Sequence, residues 1–165
     1  MNFITTLGVA GKIITTMGIN AVCVSRTTIA STAINIYDII GGISRSKTPG
    51  RANVVDLITR IDLEETVKIV DSMVKEIARE KINLKTLILC LDALTDILKK
   101  IECELQNIDT MLRYNGSLWI LTSFRSYDCS TNMTKLEEHK NILDARLKRF
   151  IELSQIKCEF IPLKI

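Results

Sequence analysis

The sequence predicts an all-α protein: a four- to five-helix bundle with one long heptad-patterned helix and a short helix before the last one. Three observations carry this. Hydrophobic residues are 47% of the 165 and charged residues 25%, the balance of a globular chain able to bury a core. Only 7 Gly and 2 Pro can interrupt elements, which favours long helices. Apolar residues recur at steps of three and four through most of the chain, the period of an amphipathic helix. The expected organisation is an apolar N-terminal helical arm over 1–43, a basic Pro/Gly linker over 44–52 and a helical bundle over 53–160, together one compact domain.

The arm contains "LGVAGKIITTMGINAVCVS", residues 7–25. A phosphate loop needs G-x-x-x-x-G-K-[ST]. Here Ile13 follows Gly11-Lys12, and Thr6 stands where the first glycine belongs. A membrane span needs about 20 mainly apolar residues, and Lys12, Arg26 and Asp38 cut the arm into shorter runs. A signal peptide is a poor match, because Lys12 falls inside the hydrophobic run. A packed helix fits best. Phe3, Leu7, Ala10, Ile14, Met17 and Ala21 recur at helical spacing, then Ile29, Ala33, Ile36 and Ile40. Residues 27–37 are rich in β-branched types, so a strand is an open alternative there. Ile13, Ile19, Val22, Cys23 and Val24 leave no clean polar face, the mark of a helix that is central in a bundle or prefers lipid or another chain. Ile14, Met17, Ile19, Val22 and Val24 are therefore the candidate membrane or partner contacts. Residues 1–52 hold five basic residues, Lys12, Arg26, Arg45, Lys47 and Arg51, against the single acid Asp38. These five are the candidates for anionic headgroups. Gly41-Gly42 is expected to stop the arm helix, and Pro49-Gly50 to make a turn.

Residues 53–61 add a helical turn or two. "DLEETVKIVDSMVKEIAREKI" then reads as a helix with an Asp62/Glu65 capping box and an apolar stripe of Ile69, Val70, Met73, Val74 and Ile77. The clearest signal follows. Leu84, Leu87, Leu91, Leu94, Leu98, Ile101, Leu105, Ile108 and Leu112 form an unbroken heptad pattern. They predict a core-facing helix near 83–114, with Asn83 as N-cap and Asn115-Gly116 as its end. "SLWILTSFRSY", 117–127, reads as a short helix that gives Trp119 to the core. "TKLEEHKNILDARLKRFIELSQI" reads as the last helix, with a Thr134/Glu137 capping box and Leu136, Leu143, Leu147, Phe150 and Ile151 facing inward.

No constellation for chemistry emerges. The single histidine, His139, sits beside Glu137, Glu138 and Lys140 on a helix and is expected in solvent. One histidine does not furnish the paired Glu-x-x-His of a di-iron bundle. Cys23, Cys90, Cys103, Cys129 and Cys158 form no C-x-x-C, so they read as small apolar residues of a reducing compartment. Sequons at Asn115 and Asn132 are weak motifs. Arg146, Lys148 and Arg149 are interleaved with Asp144 and Glu152, a charged face rather than a nucleic-acid patch. No enzyme, cofactor or metal site is expected.

The element order resembles the HeLo-type cell-death bundles, a group that includes the four-helix domain of mixed-lineage kinase domain-like protein and the helical N-terminal domains of some plant immune receptors. The likeness runs from the apolar arm through the heptad helix and "NGSLWILTSF" to "TKLEEHKNILDARLKRFIEL". It rests on pattern and order, and the arm here is longer and more apolar. The resemblance implies a bundle that self-associates and engages membranes, with the first helix as effector. No pseudokinase or receptor segment is visible, so a stand-alone bundle is expected. The expected partners are a second copy, an anionic membrane or another protein, and the expected location is cytoplasmic or peripheral to a membrane. The competing reading is a structural or adaptor protein, such as a small viral-particle or scaffold component, with the arm buried against another chain. The isoleucine- and lysine-rich composition of an AT-rich genome, viral or protist, suits that reading.

Overall fold

The computed structural model describes residues 4–76, 84–118 and 128–155, with side chains described over 20–76, 85–118 and 128–153. The chain forms α1 (Ile4–Arg45), α2 (Arg51–Arg60), α3 (Leu63–Glu76), α4 (Leu84–Ser117) and α5 (Ser130–Gln155), with no strand among the described residues. The short helix expected over 117–127, with Trp119, lies outside the described residues, as do Asn83, Ile77 and Cys158.

The arm is one helix of 42 residues, about 63 Å at 1.5 Å per residue. Gly41-Gly42 does not stop it. Ile40 and Ile43 are both buried, so tertiary packing on each side of the pair holds the last turns. The β-branched run 27–37 is helical for the same reason, with Ile29, Thr32, Ala33 and Ile36 buried. Its hydroxyls also close on the helix itself: Thr27 Oγ1 donates to the Cys23 carbonyl at 3.0 Å and Thr28 Oγ1 to that of Val24 at 2.9 Å. The break comes only at Ser46–Gly50. Gly50 makes the reversal at φ 82°, where a Cβ would be strained.

α4 is the central element. Leu87, Leu91, Leu94, Leu98, Ile101, Leu105, Ile108 and Leu112 are all buried as the heptad requires, and Ile97 joins them. Leu84 begins the helix, its side chain outside the description. The helix runs through Asn115-Gly116 to Ser117. Thr48 packs so tightly there that a Cβ on Gly116 would stand 2.5 Å from its Cγ2. α1 packs along one side of α4 and α5 along another, with α3 against α1.

Hydrogen bonds fix the registers. Ser25 Oγ donates to Asp92 Oδ1 at 3.0 Å, and Asn35 Nδ2 to Glu102 Oε1 at 2.8 Å, both across 67 residues. α1 and α4 are thus parallel. Asn132–Glu104 and Arg146–Asp96 set α5 antiparallel to α4. α5 turns Leu136, Leu143, Leu147 and Phe150 inward, with Ile151 partly buried.

Both expected capping boxes are replaced. Asp62 sits at φ 51°, not in the extended conformation of a capping residue. It closes the α2–α3 turn instead: its N–H donates to the Thr59 carbonyl, and its own carbonyl accepts from the Thr66 N–H. α5 starts four residues before Thr134. There Asp128 Oδ1 accepts from the Ser130 N–H at 2.9 Å and Oδ2 from the Ser130 hydroxyl at 2.6 Å. Those bonds hold the Asp128 carboxyl below its ordinary pKa. Thr134 bonds back to the Ser130 carbonyl, and Glu137 reaches Arg60 of α2 at 3.0 Å. On α3 the buried stripe is Leu63, Val67, Val70 and Val74, while Ile69 is turned to solvent.

Candidate functional site

The site candidates cluster on α1, and the parallel register says where they stand. With an offset of 67, Met17 is level with Leu84, the first residue of α4. The 13 or so residues before it carry α1 about 20 Å past that level. Lys12 and Ile14 lie in that extension and Ile19 just after it; of residues 4–19 only the backbone is described.

The other candidates divide between two faces. Val22 is buried in the core at 2% exposure, so it is not a surface contact. It occupies the inward stripe that continues through Ser25, Ile29, Thr32, Ile36, Ile40 and Ile43. Val24, two positions on and turned about 200° around the axis, is 66% exposed. Arg26 is half-buried, and its guanidinium donates to the carbonyl of Lys75 at the end of α3. It therefore ties α1 to α3.

Arg45, Lys47 and Arg51 gather at the α1–α2 turn, around a shallow hollow with Ser46, Thr48 and Gly50. Arg51 spends one donor on the Ser44 carbonyl at 2.6 Å. Thirty-odd residues of helix, about 50 Å, separate this cluster from Lys12. The five cations expected to act together thus lie at opposite ends of one rod, with Arg26 committed between them.

Sequence reasoning missed the outer face of α1 as a unit. Asn20, Val24, Thr27, Ser31, Ile34 and Asp38 are all exposed, and Ile34 is 58% exposed. The signal was their four–three spacing, masked by the more apolar inner stripe on the opposite side of the helix.

Elsewhere, a groove of about 610 Å³ lies between α1 and the α2–α3 turn, lined by Tyr37, Asp62, Glu64, Glu65, Lys68 and Asp71 among others. The Tyr37 hydroxyl has no hydrogen-bond partner among the described residues. Burial first, then Asp71, Glu64 and Glu65, push its pKa up to about 12, which keeps it protonated and inert as a base near neutrality. His139 is half-buried, not solvated, and its Nδ1 lacks a partner among the described residues. Neighbouring Lys140 is also buried and pairs with Asp144 at 2.8 Å. Arg146 is drawn onto α4, where it meets the Ala93 carbonyl and Asp96.

No disulfide links Cys23, Cys90, Cys103 and Cys129. Burial pushes up the Cys90 thiol, and burial with Asp128 pushes up that of Cys129, which makes both slower nucleophiles. Both sequon asparagines lie in helices, Asn115 buried and Asn132 donating to Glu104 at 2.8 Å. Among the described residues no group of three or more His, Cys, Asp or Glu could hold a metal ion, and no helix is long and apolar enough to cross a membrane. No family model matches the chain, and neither a curated protein nor a solved structure matches it.

Proposed function

We propose that this protein is a non-enzymatic helical bundle that self-associates and engages membranes through α1, as its resemblance to HeLo-type bundles implies. The observation that carries the reading is the extension of α1 past the level of α4, in a segment whose sequence holds one charge, Lys12, between Ile4 and Asn20.

Energetics select which part of α1 acts. Detaching residues 20–43 would expose Val22, Ile29, Ile36, Ile40 and Ile43 and uncover the α4 leucines facing them. Each such side chain is worth about 1.5–3 kcal/mol. The sum is as large as the whole stability of an ordinary domain, about 5–15 kcal/mol. Residues 4–19 face no comparable cost from α4. They are the lipid-facing segment, and 20–45 is the stalk that holds them. Ile14, Met17 and Ile19 would enter the interface, with Lys12 at the headgroups. Arg45, Lys47 and Arg51, about 50 Å away, would not touch the same leaflet while the stalk stands upright.

Flotation with anionic liposomes tests this. Full-length protein should float, and protein lacking 1–19 should remain at the bottom with its helical circular dichroism retained. Lys12→Gln should weaken binding about fivefold, since one such charge is worth about 1 kcal/mol, while Lys47→Gln should leave it unchanged. Equal flotation with and without 1–19 would remove α1 as the membrane element. Absence of flotation in both would favour the adaptor reading, in which the arm is covered by a protein.

A further inference from the structure

Between Lys12 and Asp38, α1 carries one charged residue, Arg26, which is engaged by α3. Its outer face is therefore uncharged over some five turns. α3 and α4, by contrast, carry ion pairs such as Lys75–Asp71, Lys100–Asp96 and Arg113–Asp109. Interface cores are depleted in charge in just this way.

The hydroxyls on that face are already satisfied. Thr27 Oγ1 donates to the Cys23 carbonyl at 3.0 Å, and Ser31 Oγ to the Thr28 carbonyl at 2.9 Å. Covering them would strand no donor, and their small side chains would let another helix approach closely. Val24 and Ile34, at 66% and 58% exposure, flank them.

The stripe is also symmetric. Asn20, Val24, Thr27, Ser31, Ile34 and Asp38 are spaced four, three, four, three, four, and about the level of Ile29 like stands opposite like: Val24 with Ile34, Thr27 with Ser31, Asn20 with Asp38. We propose that this face docks a second copy of the chain, α1 against α1, antiparallel, on a twofold axis at the level of Ile29. The proposal rests on, and deepens, the self-association in the reading above.

In this arrangement each Val24 meets the partner's Ile34, once on either side of the axis, as an isologous contact requires. Thr27 meets the partner's Ser31. The Asn20 amide meets the partner's Asp38 and can donate to its carboxylate. A parallel pairing would set Asp38 against Asp38 and Arg45 against Arg45, a like-charge juxtaposition that opposes docking.

Sedimentation equilibrium of the full chain, without lipid, tests the proposal over a micromolar concentration series. Wild type should show a monomer–dimer equilibrium. V24E and I34K should each raise the dissociation constant at least about tenfold, the loss expected from truncating a central contact. Both positions are exposed, so circular dichroism and the melting temperature should stay close to wild type. Mixing V24E with I34K should restore dimers, because the antiparallel register brings the two opposite charges together while keeping one Val24–Ile34 contact. A wild-type chain that stays monomeric overturns the proposal, and so does a V24E chain that dimerises normally. Dissociation of the single variants without recovery on mixing overturns the antiparallel register. Because no vesicle is present, failure of the membrane reading leaves this result standing, and the reverse also holds.

Discussion

Asp62 holds a left-handed conformation at φ 51° between two helices. Its type alone suggested a cap, and only the closeness of α2 and α3 demands a reversal there. An L-residue in that region carries a strain that glycine lacks. Asp62→Gly should therefore stabilise the protein by about 0.5–1 kcal/mol, read as a higher urea midpoint at unchanged slope. Tyr37 gives a pH-dependent counterpart. Its folded pKa of about 12 lies above the unfolded value near 10, so the folded state binds the proton more tightly. Stability is then complete below about pH 10 and declines as pH rises toward 12. Tyr37→Phe should flatten the fall of melting temperature across that alkaline window relative to wild type. His139 and Lys140 show why residue type predicts exposure poorly. Both polar side chains lie on the inner flank of α5, where the spacing of Leu136 and Leu143 places them.

At the scale of elements, the inward stripe of α4 was legible, though the helix runs through its expected end at Asn115-Gly116. Its heptad stripe is narrow, its other positions are polar, and only one face can be inward. α1 was legible as a helix but not in its extent. Gly41-Gly42 is a local stop signal, overridden because Ile40 and Ile43 bury against the bundle. The two glycines lie in a helix that bears their cost, and added Cβ atoms would meet nothing closer than 3.6 Å at Gly41 and 3.9 Å at Gly42, in each case an arginine side chain. Gly41→Ala and Gly42→Ala should each stabilise by about 1 kcal/mol. Thermal unfolding of the single and double variants checks this, and near-additive gains are expected. The α3 stripe was misassigned around Ile69 because it left out Leu63 and Val67, which set the inward face. The α5 start was misplaced because Asp128, in a loop-like sequence, supplies the capping carboxylate.

For the whole molecule, the consequence is that the arm is not an appendage. Residues 20–43 supply one wall of the core, and 4–16 extend beyond the level of α4. Two truncations should separate these roles. Removing 1–19 should leave a cooperatively folding bundle. Removing 1–43 uncovers the Leu91–Ile108 stripe and should abolish cooperative melting, with exposed apolar surface detected by dye binding. A cooperative transition in the shorter protein would mean that α4 finds another cover for that stripe. The basic residues make the same point about scale: Lys12 and Arg45 look like one charge set in the sequence but stand about 50 Å apart on a rigid helix.

By itself the sequence determined that the chain is all-helical, that α4 is central, and that the N-terminal segment is apolar and poor in acids. Period, composition and breaker residues are local quantities, and these conclusions need only local information. Tertiary structure decided that Val22 is spent on the core while Val24 is left outside, since the two differ only in what lies beside them. It also decided that the glycine pair stays helical and that the cations divide between the two ends. Each of those outcomes depends on the packing of residues distant in sequence, such as Ser25 with Asp92, which no local pattern encodes.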